Sequence, residues 1–142
     1  MQYVSLKPEL SGTESKIDIR TPLRISIGFI NFLSGIDLSI GIHLFTTAGD
    51  CIFDVPSSSQ VLDVGKYECS CIIPGNFLND GDYYISVIFM KNTEVQMFYL
   101  EKCLSFEMED YRGDIKWQGK WMGWVRPRFQ IEISKKSDSV HA

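Results

Sequence analysis

The chain has 142 residues, 44% of them apolar, which suits one ordinary domain with a buried core. Fourteen lysines and arginines against 18 aspartates and glutamates give a formal charge of -4, the opposite of the basic footprint a nucleic-acid partner needs. No apolar run approaches the roughly 18 to 20 residues that span a bilayer, and the N-terminus lacks the basic-then-apolar order of a signal peptide, so a cytosolic domain is expected.

Residues 1–16 mix Ser, Thr, Glu, Lys and Pro with little periodicity and read as a linker. From there to residue 134 the dominant pattern is period-2 alternation, which marks half-buried strands. It recurs in "LRISIGFI" (23–30), "IDLSIGIHLFT" (36–46), "YECSCII" (67–73), "YYISVIFM" (83–90), "QMFYLEK" (96–102), "CLSFEME" (103–109) and "RFQIEI" (128–133). Turn residues separate these runs, and the joint Pro74, Gly75, Asn76, Asn79, Asp80 and Gly81 makes 66–89 read as strand, turn, strand, a hairpin. No helical stripe is long enough to cross over a parallel sheet. The expected fold is all-β: an antiparallel β-sandwich, immunoglobulin-like or jelly-roll. The tail 135–142 is polar and expected to be mobile.

Parity assigns faces, because successive side chains of a strand point to opposite sides. Ile36, Leu38, Ile40, Ile42 and Leu44 fall on one apolar face, leaving Asp37, Ser39, Gly41, His43 and Phe45 on the other. Tyr83, Ile85, Val87 and Phe89 go inward, leaving Tyr84, Ser86, Ile88 and Met90 outside. A solvated sheet face carries Lys, Glu and Thr; one of Ser, Gly, His, Tyr, Phe and Met implies a cover. His43 and Tyr84 stand out as contacts there, with Ser39 and Ser86 beside them, since each offers a ring and a polar handle that the core does not need. Against this, an unpartnered surface His or Tyr is common, and another protomer or a loop would serve as the cover equally well.

Residues 110–127, "DYRGDIKWQGKWMGWVRP", form a long connection that holds all three tryptophans, Trp117, Trp121 and Trp124. Loops of this length in compact domains are functional or specially packed. Rings beside Arg112, Asp114 and Lys116 are what an amphipathic sugar requires: stacking on its C–H faces and hydrogen bonds to its hydroxyls. The plainer reading is that the rings cap one end of the sandwich.

Cys69 and Cys71 lie two apart in an alternating run and point the same way, there is no CxxC spacing, and the four cysteines are expected to be reduced, with neither disulfide nor metal. The chain holds two histidines, His43 and His141, and no hydrolase, zincin or phosphate-loop motif, so neither an enzyme nor a cofactor site is expected. The tripeptide "RGD" at 112–114 is too short a match to carry an argument.

The order "GKYECSCIIPGNFLNDGDYYISVIF", then "LSFEMEDYRGD", then "GWVRPRFQIEI" resembles the C-terminal domain of ATP-binding subunits of bacterial polysaccharide ABC exporters, the Wzt-type O-antigen transporters, over about residues 21–133. The resemblance implies a non-catalytic β-sandwich that binds the exported O-antigen polysaccharide, at or near its modified non-reducing end, as a checkpoint in lipopolysaccharide biosynthesis. It also implies partners: a nucleotide-binding domain ahead of this one, a transmembrane subunit, and a second copy, since such subunits work in pairs. The place in the cell would be the cytoplasmic side of the inner membrane. On this view residues 1–16 belong to the interdomain linker of a longer subunit; the alternative is a protein that stands alone. The last strand, following its long connection, is expected to pair with a neighbour's sheet. The competing function is a protein-interaction or dimerisation sandwich that binds no sugar.

Overall fold

The computed structural model describes residues 3–9, 17–113 and 119–136. The strands are β1 (Tyr3–Pro8), β2 (Leu23–Asn31), β3 (Asp37–Thr46), β4 (Cys51–Pro56), β5 (Gln60–Val61), β6 (Gly65–Ile73), β7 (Gly81–Lys91) and β8 (Val95–Met108). They make two antiparallel sheets, a three-stranded one ordered β1-β2-β6 and a five-stranded one ordered β4-β3-β7-β8, with β5 pairing on β3. Among the described residues there is no helix, and hence none long and apolar enough to cross a membrane.

The alternating runs become this sandwich because each buries its apolar parity against the other sheet. Leu23, Ile25, Ile27 and Phe29 of β2 face Ile40, Ile42 and Leu44 of β3 and Tyr83, Ile85, Val87 and Phe89 of β7, all buried. At about 25 cal/mol per Å² of apolar area removed from water, this layer is the main force holding the sheets together. Cys69 and Cys71 line the same layer from β6. The four cysteines are free: Cys51 is exposed, and burial pushes the thiols of Cys69, Cys71 and Cys103 up.

Several sequence expectations change. Tyr3–Pro8, placed in the linker, is a strand laid on β2, with Val4 and Leu6 against the core. The runs 96–102 and 103–109 are one strand. Ile85 pairs with Leu104 and Val87 with Leu100, so residues 101–103 bulge opposite Ser86, and Lys102 takes a φ of 50°. The bulge adds an even number of residues, so the inward parity of β8 is unchanged and the alternation alone could not show it. The segment 66–89 is not a hairpin: β6 pairs with β2 and β7 with β3 and β8, so Pro74–Asp80 carries the chain from one sheet to the other. Ile36 lies ahead of β3 and is only half-buried.

The expected last strand is absent. Residues 126–136 form no ladder, and Phe129, Ile131 and Ile133 are 81%, 88% and 100% exposed. Alternation is present, but no strand of the same chain receives it.

Candidate functional site: a groove and aromatic shelf on the five-stranded sheet

The register converts the outward parity into a surface. Along β3 the outward residues are Ser39, Gly41, His43 and Phe45, and β7 sets Met90, Ile88, Ser86 and Tyr84 directly across from them. On the other flank, β4 sets Pro56 beside Gly41 and Asp54 beside His43. Tyr99 of β8 pairs with Ile88 and completes the row.

His43 divides this surface in two. On one side lies an open groove of about 680 Å³. Ser39, Gly41, Ile88 and Met90 form its base, Asp54, Pro56, Ser57 and Ser59 one wall, and Thr93 the opposite rim. A Cβ built on Gly41 would stand 2.7 Å from Ile88 Cγ2, so glycine here lets the isoleucine lie flat across the strand. His43 Nε2 is 3.2 Å from Asp54 Oδ1. On the other side is an aromatic shelf: Phe45 and Tyr84 stack with centroids 5.1 Å apart and planes 15° from parallel. The His43 ring lies 6.1 Å from Phe45 and 5.9 Å from Tyr99, and the Lys102 ammonium sits 5.1 Å over Tyr84. These rings are half-buried, so each keeps a face or an edge for a ligand.

Ser39 and Ser86, on the same face, serve differently. Ser39 is nearly buried at the groove base; Ser86 is fully buried, and its Oγ accepts the Lys102 N–H at 3.0 Å, which satisfies the bulge.

The tryptophan connection lies at one end of the sandwich, and neither Trp121 nor Trp124 lines the groove. Trp117, with Asp114 and Lys116, lies outside the described residues. Asn79, wholly buried in the β6–β7 joint, holds this connection: its Nδ2 donates to the Trp121 and Gly123 carbonyls, both at 2.8 Å, and its backbone N–H donates to the Trp124 carbonyl at 2.9 Å. Leu78 bridges to Val125, and the Tyr83 hydroxyl donates to the Asn79 carbonyl at 2.7 Å. Burial, helped by the Asp80 charge, pushes the Tyr83 phenol up to about 12. Arg112 Nε and Arg126 Nη2 each meet Asp110 at 2.9 Å, and the Arg126 guanidinium lies 5.3 Å from the Trp121 ring. Burial works to raise the Asp110 carboxyl, but the Arg126 hydrogen bond and charge outweigh it and hold it below its usual value. A second hollow of about 470 Å³ opens here between Tyr111, Arg112, Trp121 and Arg126.

Ser39, His43, Tyr84 and Ser86, singled out by alternation, share one face, while Asp54, Ser57, Ser59 and Thr93 join the groove from segments that alternation does not mark. "CIFDVP" (51–56) is too short for its alternation of Phe53 and Val55 with Asp54 and Pro56 to mark a strand by itself. No group of His, Cys, Asp and Glu among the described residues could hold a metal ion.

The arrangement is that of an antiparallel β-sandwich with a ligand-sized groove on one outer face. No family model and no curated protein sequence matches the chain. Among solved structures, it has the fold of the C-terminal domain of Wzt, with a TM-score of 0.68 over 92% of this chain and 80% of that one, at 11% sequence identity.

Proposed function

We propose that this domain is a non-catalytic carbohydrate-binding module that recognises an exported O-antigen-type polysaccharide at its modified non-reducing end, within an ABC exporter. The single observation that carries the proposal is the outer face centred on His43, where a groove adjoins an aromatic shelf. The likeness to the Wzt domain supports a related role. The groove takes the terminal residue and its substituent; the shelf of Phe45, Tyr84 and Tyr99 takes the next sugar by stacking. Discrimination follows from hydrogen-bonding groups that only the finished end satisfies, since a polar group left unpaired in such a site costs about 1 to 3 kcal/mol. In this reading the tryptophan connection, with Trp121, Trp124 and Arg112, braces the sandwich end and contributes to polymer contact only beyond the terminal residues.

The partners in this proposal are the polysaccharide, a nucleotide-binding domain, a transmembrane subunit and a second copy of the chain, at the cytoplasmic face of the inner membrane. The exposed alternation of Phe129, Ile131 and Ile133 supports exchange of residues 128–133 between copies, because the described strands β6 and β8 leave sheet edges unpaired. Light scattering at micromolar concentration should give a dimer, and Ile131→Asp should give a monomer; a wild-type monomer would remove this part of the proposal.

Calorimetric titration with the native polysaccharide, intact and stripped of its terminal modification, tests the main reading. Binding to the intact polymer at least tenfold tighter than to the stripped one is expected. No binding to either by a folded dimer would instead favour the protein-interaction module.

A further inference from the structure

We propose that Asp54 makes the groove selective for an uncharged sugar terminus that presents adjacent hydroxyls, and turns away termini bearing phosphate, sulfate or carboxylate. This inference rests on the glycan reading above and specifies the ligand of the same groove.

The first observation is charge. Among the described residues no lysine or arginine lines the groove; its ionisable side chains are His43 and Asp54. Lys102 stands over Tyr84 on the shelf side of His43 and does not line the groove. An acidic substituent seated against Ile88 and Met90 would therefore meet a carboxylate and no fixed cation to offset it, in a chain whose formal charge is already -4.

The second observation is where the protons of the groove's hydroxyls go. Ser57 Oγ donates to the Ser58 carbonyl at 3.0 Å and accepts the Ile40 N–H at 2.9 Å. Thr93 Oγ1 donates to the Asn92 carbonyl at 2.7 Å. Of the four hydroxyls that line the groove, those of Ser57 and Thr93 spend their protons within the protein, which leaves Ser39 and Ser59 as donors. Phosphate, sulfate and carboxylate groups are acceptors that need several donors, preferably charged ones, and the groove offers them two neutral hydroxyls and the His43 ring. What it offers in quantity is acceptor capacity. A carboxylate has about four lone-pair sites, and His43 lies against Oδ1 alone, so Asp54 retains sites for two hydroxyl donors on neighbouring ring carbons.

The third observation is placement. Asp54 stands on β4, its side chain 65% exposed at the groove wall, while the His43 ring fixes its orientation from β3. The carboxylate thus faces the ligand without carrying the fold, so its substitution reports on recognition.

The test is an NMR titration that follows the amides of His43, Ser57 and Thr93. Its probes are methyl glycosides of neutral hexoses, the corresponding uronates and phosphate monoesters, and oligosaccharides released from the native polysaccharide. Neutral probes should shift these amides, their charged counterparts should bind at least tenfold more weakly, and Asp54→Asn should weaken the neutral probes about tenfold with an unchanged thermal midpoint. Asp54→Lys should reverse the preference. Tighter binding of the acidic counterparts by the wild type, or undiminished neutral binding by Asp54→Asn, overturns the role of Asp54 and leaves glycan binding standing. If no probe shifts the groove amides, the glycan reading falls and this inference with it.

Discussion

The tryptophan end and the groove face carry similar residue types, rings beside polar groups, yet they use them in opposite ways. At the tryptophan end the polar groups point into the protein: Asn79 gives its amide protons to two carbonyls of the connection, and Asp110 is shared by two arginines. On the groove face the rings of His43, Phe45, Tyr84 and Tyr99 lie side by side on a sheet surface, and Asp54 keeps most of its hydrogen-bonding capacity. Aromatic and polar residues together therefore do not distinguish a candidate binding face; whether those groups are turned into the protein or held at an open surface does.

The comparison breaks hardest at Asn79. Asn79→Ala leaves the Trp121 and Gly123 carbonyls and the Asp80 N–H without their partner, at a cost of about 3 kcal/mol, and the thermal midpoint should fall by roughly 10 °C. Glycan affinity of the folded fraction should stay within twofold. A large loss of affinity with intact stability would reverse the roles given to the two regions.

The next effect in size is on pH dependence. The Tyr83 phenol is held at about 12 against an ordinary 10.0, so the folded chain keeps this proton longer than the unfolded one. The associated stability is whole below pH 10 and is lost as pH rises towards 12, by about 2 to 3 kcal/mol over that window. Tyr83→Phe should flatten this alkaline limb in chemical denaturation. Asp110 and Asp18 are held below 3.8, so their contribution has the opposite sign: present above that value and lost as pH falls below it.

On the groove face, Tyr84→Ala removes the stack on Phe45 and should weaken glycan binding about tenfold, with less than about 1 kcal/mol lost in stability because the ring is only half-buried. Smaller still, Gly41→Ala forces Ile88 to rotate away from the strand, which calorimetry should register as a threefold to fivefold loss of affinity, again with little change in midpoint. Equal effects of Tyr84→Ala and Trp124→Ala on affinity would erase the distinction between the regions.

How much of this could be read from the sequence depends on the range of the interactions. Parity is local, so the inward sets of β2, β3 and β7 and the outward His43, Phe45 and Tyr84 were legible residue by residue. Pairing is not local. Nothing in Pro74–Asp80 distinguishes a hairpin turn from a crossing between sheets, since both need the same turn residues, and the close approach of Gly75 to the Arg20 carbonyl, 2.2 Å from a Cβ built there, involves a partner 55 positions away (75 − 20). Tyr3–Pro8 was hidden because its apolar residues are few and its core contacts come from β2. Asp54 was hidden for a related reason: its place beside His43 comes from the β3–β4 register, which "CIFDVP" alone does not announce. The alternation in 128–133 was legible, but alternation specifies a strand's faces and not whose sheet receives it.

The most direct test of the account is a titration of the domain with the native polysaccharide, end modification intact, that reads groove amides and tryptophan fluorescence in the same samples. The account predicts saturable shifts at His43, Tyr84 and Thr93 that need at least tenfold more polymer once the terminal modification is removed, with tryptophan emission little changed. Saturable quenching of the tryptophans with silent groove amides would contradict it and move recognition to the other end of the sandwich.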